Sequence, residues 1–397
     1  MSVHLSLRQP PVPIATATEN LSFLESNDAR FRGSWSDVIS AQTVCGFRYQ
    51  PAILEYYKML SAAGAVDSSF IVMSGDQPIA VAPLLIEKIG NHLQASIGNG
   101  GFLPHPLLHP KLGNRQKRAI ENLVIEEIES RLHFHGVTRW RCEADVLSFG
   151  TDAMEGLAIA RYNALDISMQ SHVMDLTQEE DDMWEQIRQS SKSIINKGMK
   201  TYEFKVYDRS NYTPEVGERH RHLHHKAAGK ITRPIATFEK MNSWIPEGCG
   251  LMFEQLYQGN TVQMILVAVG NGTASGASAA DDPNFKPPVP LTHSMNWFTY
   301  KECKRLGIKY FDVGETPYRD TIYRIWTGKE KAIHDFKRGF GRQPMPAKQW
   351  IWFSDYAEEQ RYLKERLAIY SEHLKDVSGD GLPSSWIDGR LEKLVTN

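Results

Sequence analysis

Twice along this chain the residues spell out the same order: strand, tight turn, strand, a Gly/Pro-rich loop, a helix and a closing strand. In the first copy, β-prone residues 69–73 and 79–86 flank the turn Gly75-Asp76-Gln77-Pro78. A loop from 98 to 110, a helix from 115 to about 133 and a strand over 137–143 follow. In the second copy, 251–257 and 262–269 flank Gln258-Gly259-Asn260-Thr261, and residues 270–290 make the loop. A helix from about 292 to 306 then leads to a strand over 308–313. Gly136 and Gly307 each stand where a helix end needs a left-handed cap. Such a pattern, repeated once, points to an α+β chain of two tandem domains with mixed sheets flanked by helices. The boundaries read as a partly ordered N-terminal segment (1–20), a first domain (21–165), a second domain (166–353) and a C-terminal helix and tail (354–397).

Between the copies, over 144–166, the alternation lapses and the chain crosses from one unit to the next. Leu54, Tyr57, Leu60 and Ala63 recur at helical spacing over 51–65. The second half opens on a strand at 171–176. Thr177 and Glu180 have capping-box spacing for a helix that turns Met183, Trp184, Ile187, Ile194 and Ile195 inward. Arg188, Lys192 and Lys197 fall on that helix's polar side and end. A charged amphipathic helix covers 354–374, with a loose tail after it.

The 397 residues carry a net charge of −2, so no global basic field recruits nucleic acid. Cys45, Cys142, Cys249 and Cys303 are scattered without CxxC spacing, which argues against a disulfide framework or a cysteine-rich zinc site. No stretch is apolar enough to span a membrane, and the N-terminus lacks a basic-then-apolar signal. The expectation is a cytoplasmic protein. Walker A, strand-following GxGxxG, GxSxG and HExxH patterns are absent, as is the usual acetyl-CoA pyrophosphate loop.

Chemistry concentrates in two places. The apolar strand ending Tyr310-Phe311-Asp312-Val313-Gly314-Glu315 delivers two carboxylates to a sheet edge, where either can take a proton from an attacking amine. Next come Tyr318, Arg319 and Trp326 as candidate pocket walls. Then Asp335-Phe336-Lys337-Arg338-Gly339-Phe340-Gly341 sets two cations between aromatics and glycines. Lys337 is the foremost candidate, able to neutralise a phosphate or a developing oxyanion. The second place is the basic run through His220, His222, His224, His225, Lys226, Lys230, Thr232 and Arg233. His220 and His224 share a helix face, but the flanking Arg219, Arg221 and Lys226 oppose a metal ion, which leaves anion or substrate contact or a solvated basic face.

Several segments resemble the FemABX-like aminoacyl/acyltransferases of the GNAT-like superfamily, over about residues 170–345. They are Met174-Asp175-Leu176, Ile187-Arg188-Gln189-Ser190-Ser191-Lys192-Ser193-Ile194-Ile195, His224-His225-Lys226-Ala227-Ala228-Gly229, Lys309-Tyr310-Phe311-Asp312-Val313-Gly314, and the Phe336-Lys337 step before Phe340-Gly341. The resemblance implies two GNAT-like domains and transfer of an acyl or aminoacyl group to an amine. It places Lys337 at the reaction centre or on a donor or acceptor phosphate; the residues themselves add Asp312 and Glu315 as catalytic candidates, with His225, Lys226, Arg233, Tyr318, Arg319, Trp326, Arg338 and Lys192 toward substrate. It implies no resident cofactor and no metal. The donor would be an acyl-CoA, an acyl-carrier protein or an aminoacyl-tRNA, with tRNA less favoured because the long charged helical arm of some members is missing. An amino sugar or sugar nucleotide of surface-polysaccharide synthesis is the preferred acceptor. The alternatives are a tRNA-dependent enzyme acting on a cell-wall precursor and a non-catalytic sugar-nucleotide-binding protein.

Overall fold

The computed structural model describes residues 21–61, 64–147, 164–316, 320–341 and 343–377. The expected loose ends, most of the crossing segment, Tyr318 and Arg319 lie outside these residues.

Three sheets organise the chain. A four-stranded antiparallel sheet takes Leu21–Glu25, Phe70–Ser74, Gln77–Ala82 and Leu107–Leu108. A second sheet orders Leu165–Asp166, Gln349–Phe353, Arg139–Glu143, His92–Ala95, Leu85–Ile89 and Ala65–Asp67. The third, large sheet orders Glu203–Tyr207, Gly250–Tyr257, Asn260–Val269, Thr273–Asp281, Tyr310–Glu315, Met169–Asp175 and Gln343–Ala347. Helix Asn114–Phe134 buries Ile120, Val124, Ile125, Ile128 and Leu132, the i, i+4, i+8 stripe of an amphipathic helix, against the first-half core. Helix Leu291–Arg305 does the same for the second half through Met295, Tyr300 and Cys303. Gly136 and Gly307 adopt φ of +64° and +82°, ending their helices as the spacing predicts.

Three expectations need correction. The expected second strand of the first hairpin, residues 79–86, divides: Gln77–Ala82 and Leu85–Ile89 lie in different sheets. The Gly/Pro-rich loop over 270–290 contains a nine-residue strand, Thr273–Asp281. After Thr273 its sequence, Thr-Ala-Ser-Gly-Ala-Ser-Ala-Ala-Asp, has none of the β-branched and aromatic residues that mark strands, and pairing on both sides overrides that weak propensity. The single helix after residue 176 is two, Glu180–Gln186 and Gln189–Thr201, broken at Ile187-Arg188. Thr177 does not cap it. Both its backbone N–H and its hydroxyl donate to Asp175 instead, at 2.9 and 2.6 Å.

The two halves are interlocked by backbone and by core. Gln349–Phe353, which the sequence groups with the second half, hydrogen-bonds along Arg139–Glu143 in the first-half sheet. In the other direction, helix Pro51–Leu60 sends Ala52, Ile53 and Tyr56 into a cluster with Phe238, Met241, Trp244 and Ile245. Tyr56 meets Trp244 edge-on at 5.0 Å. The loop at Cys45-Gly46 closes on the turn at Gly270–Thr273: Cys45 N–H donates to Asn271 O at 2.9 Å, and Thr273 Oγ1 donates to Cys45 O at 2.8 Å.

A Cβ at Gly270 would lie 2.7 Å from the carbonyl carbon of Gly46 and closer still to Cys45 O, both rigid backbone. Gly270→Ala is therefore expected to cost about 3 kcal/mol, the upper part of the overpacking range, in urea unfolding. Gly33→Ala, in a helix with open space around it, should stabilise by up to about 1 kcal/mol. Equal midpoints for the two variants would refute this account of the junction.

Candidate active site

The parallel pairing of Thr273–Asp281 with Tyr310–Glu315 lasts only from Thr273/Tyr310 to Ser275/Asp312. Beyond it both strands continue without pairing to each other, and residues 276–281 and 313–315 line a cleft of about 2430 Å³ between the two halves. That volume exceeds the few hundred to about 1,000 Å³ of an ordinary small-molecule pocket, and it leaves room for two substrates.

Asp312 sits where the strands part. Its Oδ1 accepts the Ser171 hydroxyl at 2.6 Å and the Gly314 N–H at 2.9 Å. Burial pushes its carboxyl above the usual range, although both hydrogen bonds pull the other way. Opposite is Lys337, in the last turn of helix Gly328–Lys337, where the helix dipole favours a cation. That helix starts on a capping box in which Thr327 Oγ1 accepts from Glu330 N–H at 3.2 Å. The Lys337 ammonium is held below the usual lysine range, chiefly by burial and against the attraction of Asp312 and Glu315.

Gly314 makes this approach possible. It adopts φ +104°, and a Cβ there would lie 2.5 Å from Lys337 Nζ. Gly314→Ala should therefore displace the ammonium and lower kcat by about tenfold or more, as misplacement of a charged group at the reaction centre does. Steady-state kinetics with circular dichroism decides it: wild-type kcat in a folded variant would sever Gly314 from Lys337.

Glu315 has a different setting. Arg324 Nη1 donates to its Oε2 at 2.7 Å, Gln349 Nε2 donates to its Oε1 at 2.8 Å, and its main-chain oxygen lies 2.6 Å from His334 Nδ1. Gln349 Nε2 also reaches Glu143 Oε2 at 3.2 Å, so one amide bridges two carboxylates. Glu143 ends the first-half strand Arg139–Glu143, is buried, lines the cleft and forms an ion pair with Arg48. Burial raises its pKa to about 7; Arg48 opposes the rise, and Glu315 adds to it.

Lys337, Asp312, Glu315 and Trp326 thus share one cleft. Trp326 is buried beneath Arg324, whose guanidinium lies 4.1 Å from the ring centre, and meets His334 edge-on at 4.4 Å. The other described candidates are not among the residues that line the cleft. Lys226 pairs with Asp282 at 2.7 Å. Arg233 bonds the Tyr56 hydroxyl and stacks 4.4 Å from Phe238, which His225 also meets edge-on. Arg338 lies 3.8 Å from Asp335. Lys192 bonds Glu185 at 2.9 Å beside a separate surface groove. His220 is a core residue: its Nε2 lies 3.3 Å from Ser278 Oγ, and burial, with His224 and Arg233 nearby, drops its pKa to about 3. Among the described residues no three potential metal ligands converge.

Sequence reasoning missed Arg48, Glu143, Ser171, Arg324 and Gln349. A signal existed for Glu143 alone, which closes the first-copy strand much as Glu315 closes the second.

No family model matches this sequence, and no curated protein does. Solved structures do. The crystal structure of FemX superposes with a TM-score of 0.62 at 11% identity, covering 86% of this chain and 100% of that one. The C-terminal domain of a putative lysylphosphatidylglycerol synthetase from Agrobacterium fabrum gives 0.53 at 12% identity, covering 86% and 95%. The L-PGS of Bacillus licheniformis gives 0.51 at 12%, covering 80% and 96%. With two α+β halves interlocked about one cleft, the chain has the fold seen in the crystal structure of FemX.

Proposed function

We propose that this protein is an N-acyltransferase that moves an acyl or aminoacyl group from an activated donor to an amine, with an amino sugar or sugar nucleotide as the preferred acceptor. The observation that carries the reading is that half-buried Lys337 and Asp312, whose charges attract, line with Glu143 one cleft large enough for two substrates. FemX and a putative lysylphosphatidylglycerol synthetase share the fold.

A neutral amine attacks the donor carbonyl, forming the C–N bond and an oxyanion. Lys337 stabilises that oxyanion, in a site where burial strengthens the interaction. Collapse breaks the bond to the leaving thiolate or alkoxide, and the proton lost by nitrogen goes to a carboxylate. Glu143 suits that role better than Asp312. Its pKa of about 7 matches a base working near neutrality, whereas Ser171 and Gly314 donate hydrogen bonds that favour Asp312 as the ion. The donor is an acyl-CoA, an acyl-carrier protein or an aminoacyl-tRNA.

Mass spectrometry after incubation with UDP-amino sugars and acyl-CoA or acyl-carrier donors, with and without charged tRNA, tests the reading. An acylated sugar formed without tRNA supports it. Product only with charged tRNA moves the chain to a tRNA-dependent role on a cell-wall precursor. Sugar-nucleotide binding without any product makes it a non-catalytic binder.

A further inference from the structure

One end of the cleft holds three arginines from distant parts of the chain: Arg141 on strand Arg139–Glu143, Arg324, and Arg366 on helix Tyr356–Val377. Their charges are not equally matched. Arg324 pairs with Glu315 at 2.7 Å. Arg366 donates only to main-chain oxygens, from Nε to Ile322 O at 3.2 Å and from Nη2 to Tyr323 O at 2.6 Å. Arg141 packs its guanidinium 4.3 Å from the Phe102 ring centre, and its buried Nε has no hydrogen-bond partner among the described residues. Neither Arg141 nor Arg366 has a carboxylate within ion-pair range among those residues. Asp166, which is exposed, and Glu330, whose charge Arg324 attracts, also line the cleft.

Arg139 shows what a structural arginine looks like on this surface. Two positions along the same strand, its Nε donates to Glu358 at 2.5 Å, and Glu365 lies 3.8 Å from its Nη2. An enclosed guanidinium without a counter-ion is costly, and Met or Leu would fill the same space. Here Arg366 and Arg324 share the cavity wall with Arg141, so repulsion adds to the cost; Arg324, Arg366 and Arg139 all act against the Arg141 charge. The arrangement makes chemical sense when an anion occupies the space between them. Planar guanidinium groups bind oxyanions through paired N–H donors. Two unmatched positive charges suit a phosphate or diphosphate better than a single carboxylate.

We propose that Arg141 and Arg366, with Arg324 beside them, form a binding subsite for a phosphate-bearing portion of a substrate, remote in sequence from the Lys337–Asp312 centre and continuous with it through the cleft. Which substrate carries that phosphate rests on the acyl-transfer reading; the binding itself does not. The test is calorimetric titration of the full chain with inorganic pyrophosphate, with succinate as the dicarboxylate comparison, alongside Arg141→Met and Arg366→Met. Pyrophosphate should bind, succinate more weakly, and each variant should weaken pyrophosphate by about tenfold or more. Without ligand, Arg141→Met should melt no lower than wild type, because an unmatched buried cation has gone. A lower melting temperature would make Arg141 a packing residue and overturn the subsite. So would no pyrophosphate binding by wild type, unchanged affinity in both variants, or tighter binding of succinate. Since nothing in the titration requires turnover, a protein that transfers no acyl group still gives a decisive answer.

Discussion

Lys337→Ala is expected to lower kcat by about 10²- to 10³-fold, the usual cost of removing one preorganised stabiliser of a developing oxyanion, while the protein stays folded. The size follows from the surroundings. Lys337 is enclosed at a helix end over Gly314 and opposite Asp312, so its charge acts where water does little screening. The fold should survive because the ammonium is already desolvated at a cost, which the truncation relieves. Asp312 then loses its cation, but protonation can neutralise it, given a pKa that burial already raises. Lys337→Arg should not rescue activity, since the space over Gly314 admits an ammonium and not a larger planar group. In wild type the activity should also fall on the alkaline side at a pH below the ordinary lysine range, as the cation is lost through a lowered pKa. Near wild-type turnover by the alanine variant would remove Lys337 from the chemistry.

The second large effect concerns Glu143. Acting as the base, it must be ionised, so wild-type kcat should rise with pH through about 7. Glu143→Gln should abolish that limb and lower kcat by about 10²-fold or more. Persistence of the limb in this variant would assign the proton to another group. Stability supplies an independent readout. In the folded chain the carboxyl titrates at about 7 instead of the unfolded 4.5, so between those values the native state binds more protons than the unfolded state. Glu143's contribution is thus fully present below pH 4.5 and is lost as pH climbs past about 7, by roughly 3 kcal/mol relative to Glu143→Gln. Urea midpoints of the two proteins measured across that range should diverge accordingly; parallel curves would mean that Glu143 is ionised throughout.

The candidate site was legible in the sequence wherever its residues are neighbours in the chain. Asp312, Gly314 and Glu315 lie on one short strand, and Lys337 ends the helix that follows, so strand-end chemistry and an aromatic-flanked lysine suffice to find them. The setting of Glu315 was not legible: its oxygens accept from Arg324 and Gln349, which local sequence does not bring together with it. The basic run at 219–233 lies apart from the cleft lining: Lys226 pairs with Asp282, and Arg233 packs on Tyr56 and Phe238. Density of cations in a sequence says nothing about which of them find counter-ions.

By itself the sequence determined the two-copy α+β order, the helices with their Gly136 and Gly307 ends, and the strand-and-lysine core of the site. Each of these is written in local periodicity, turn chemistry or short spacing. Only the tertiary structure decided that Gln349–Phe353 completes the first-half sheet, that Gln349 joins Glu143 to Glu315, and that Arg141, Arg324 and Arg366 share a wall. Such pairings span from tens of residues to more than two hundred. They are set by which sheet edge is left open and which buried charge lacks a partner, and neither leaves a period in the chain.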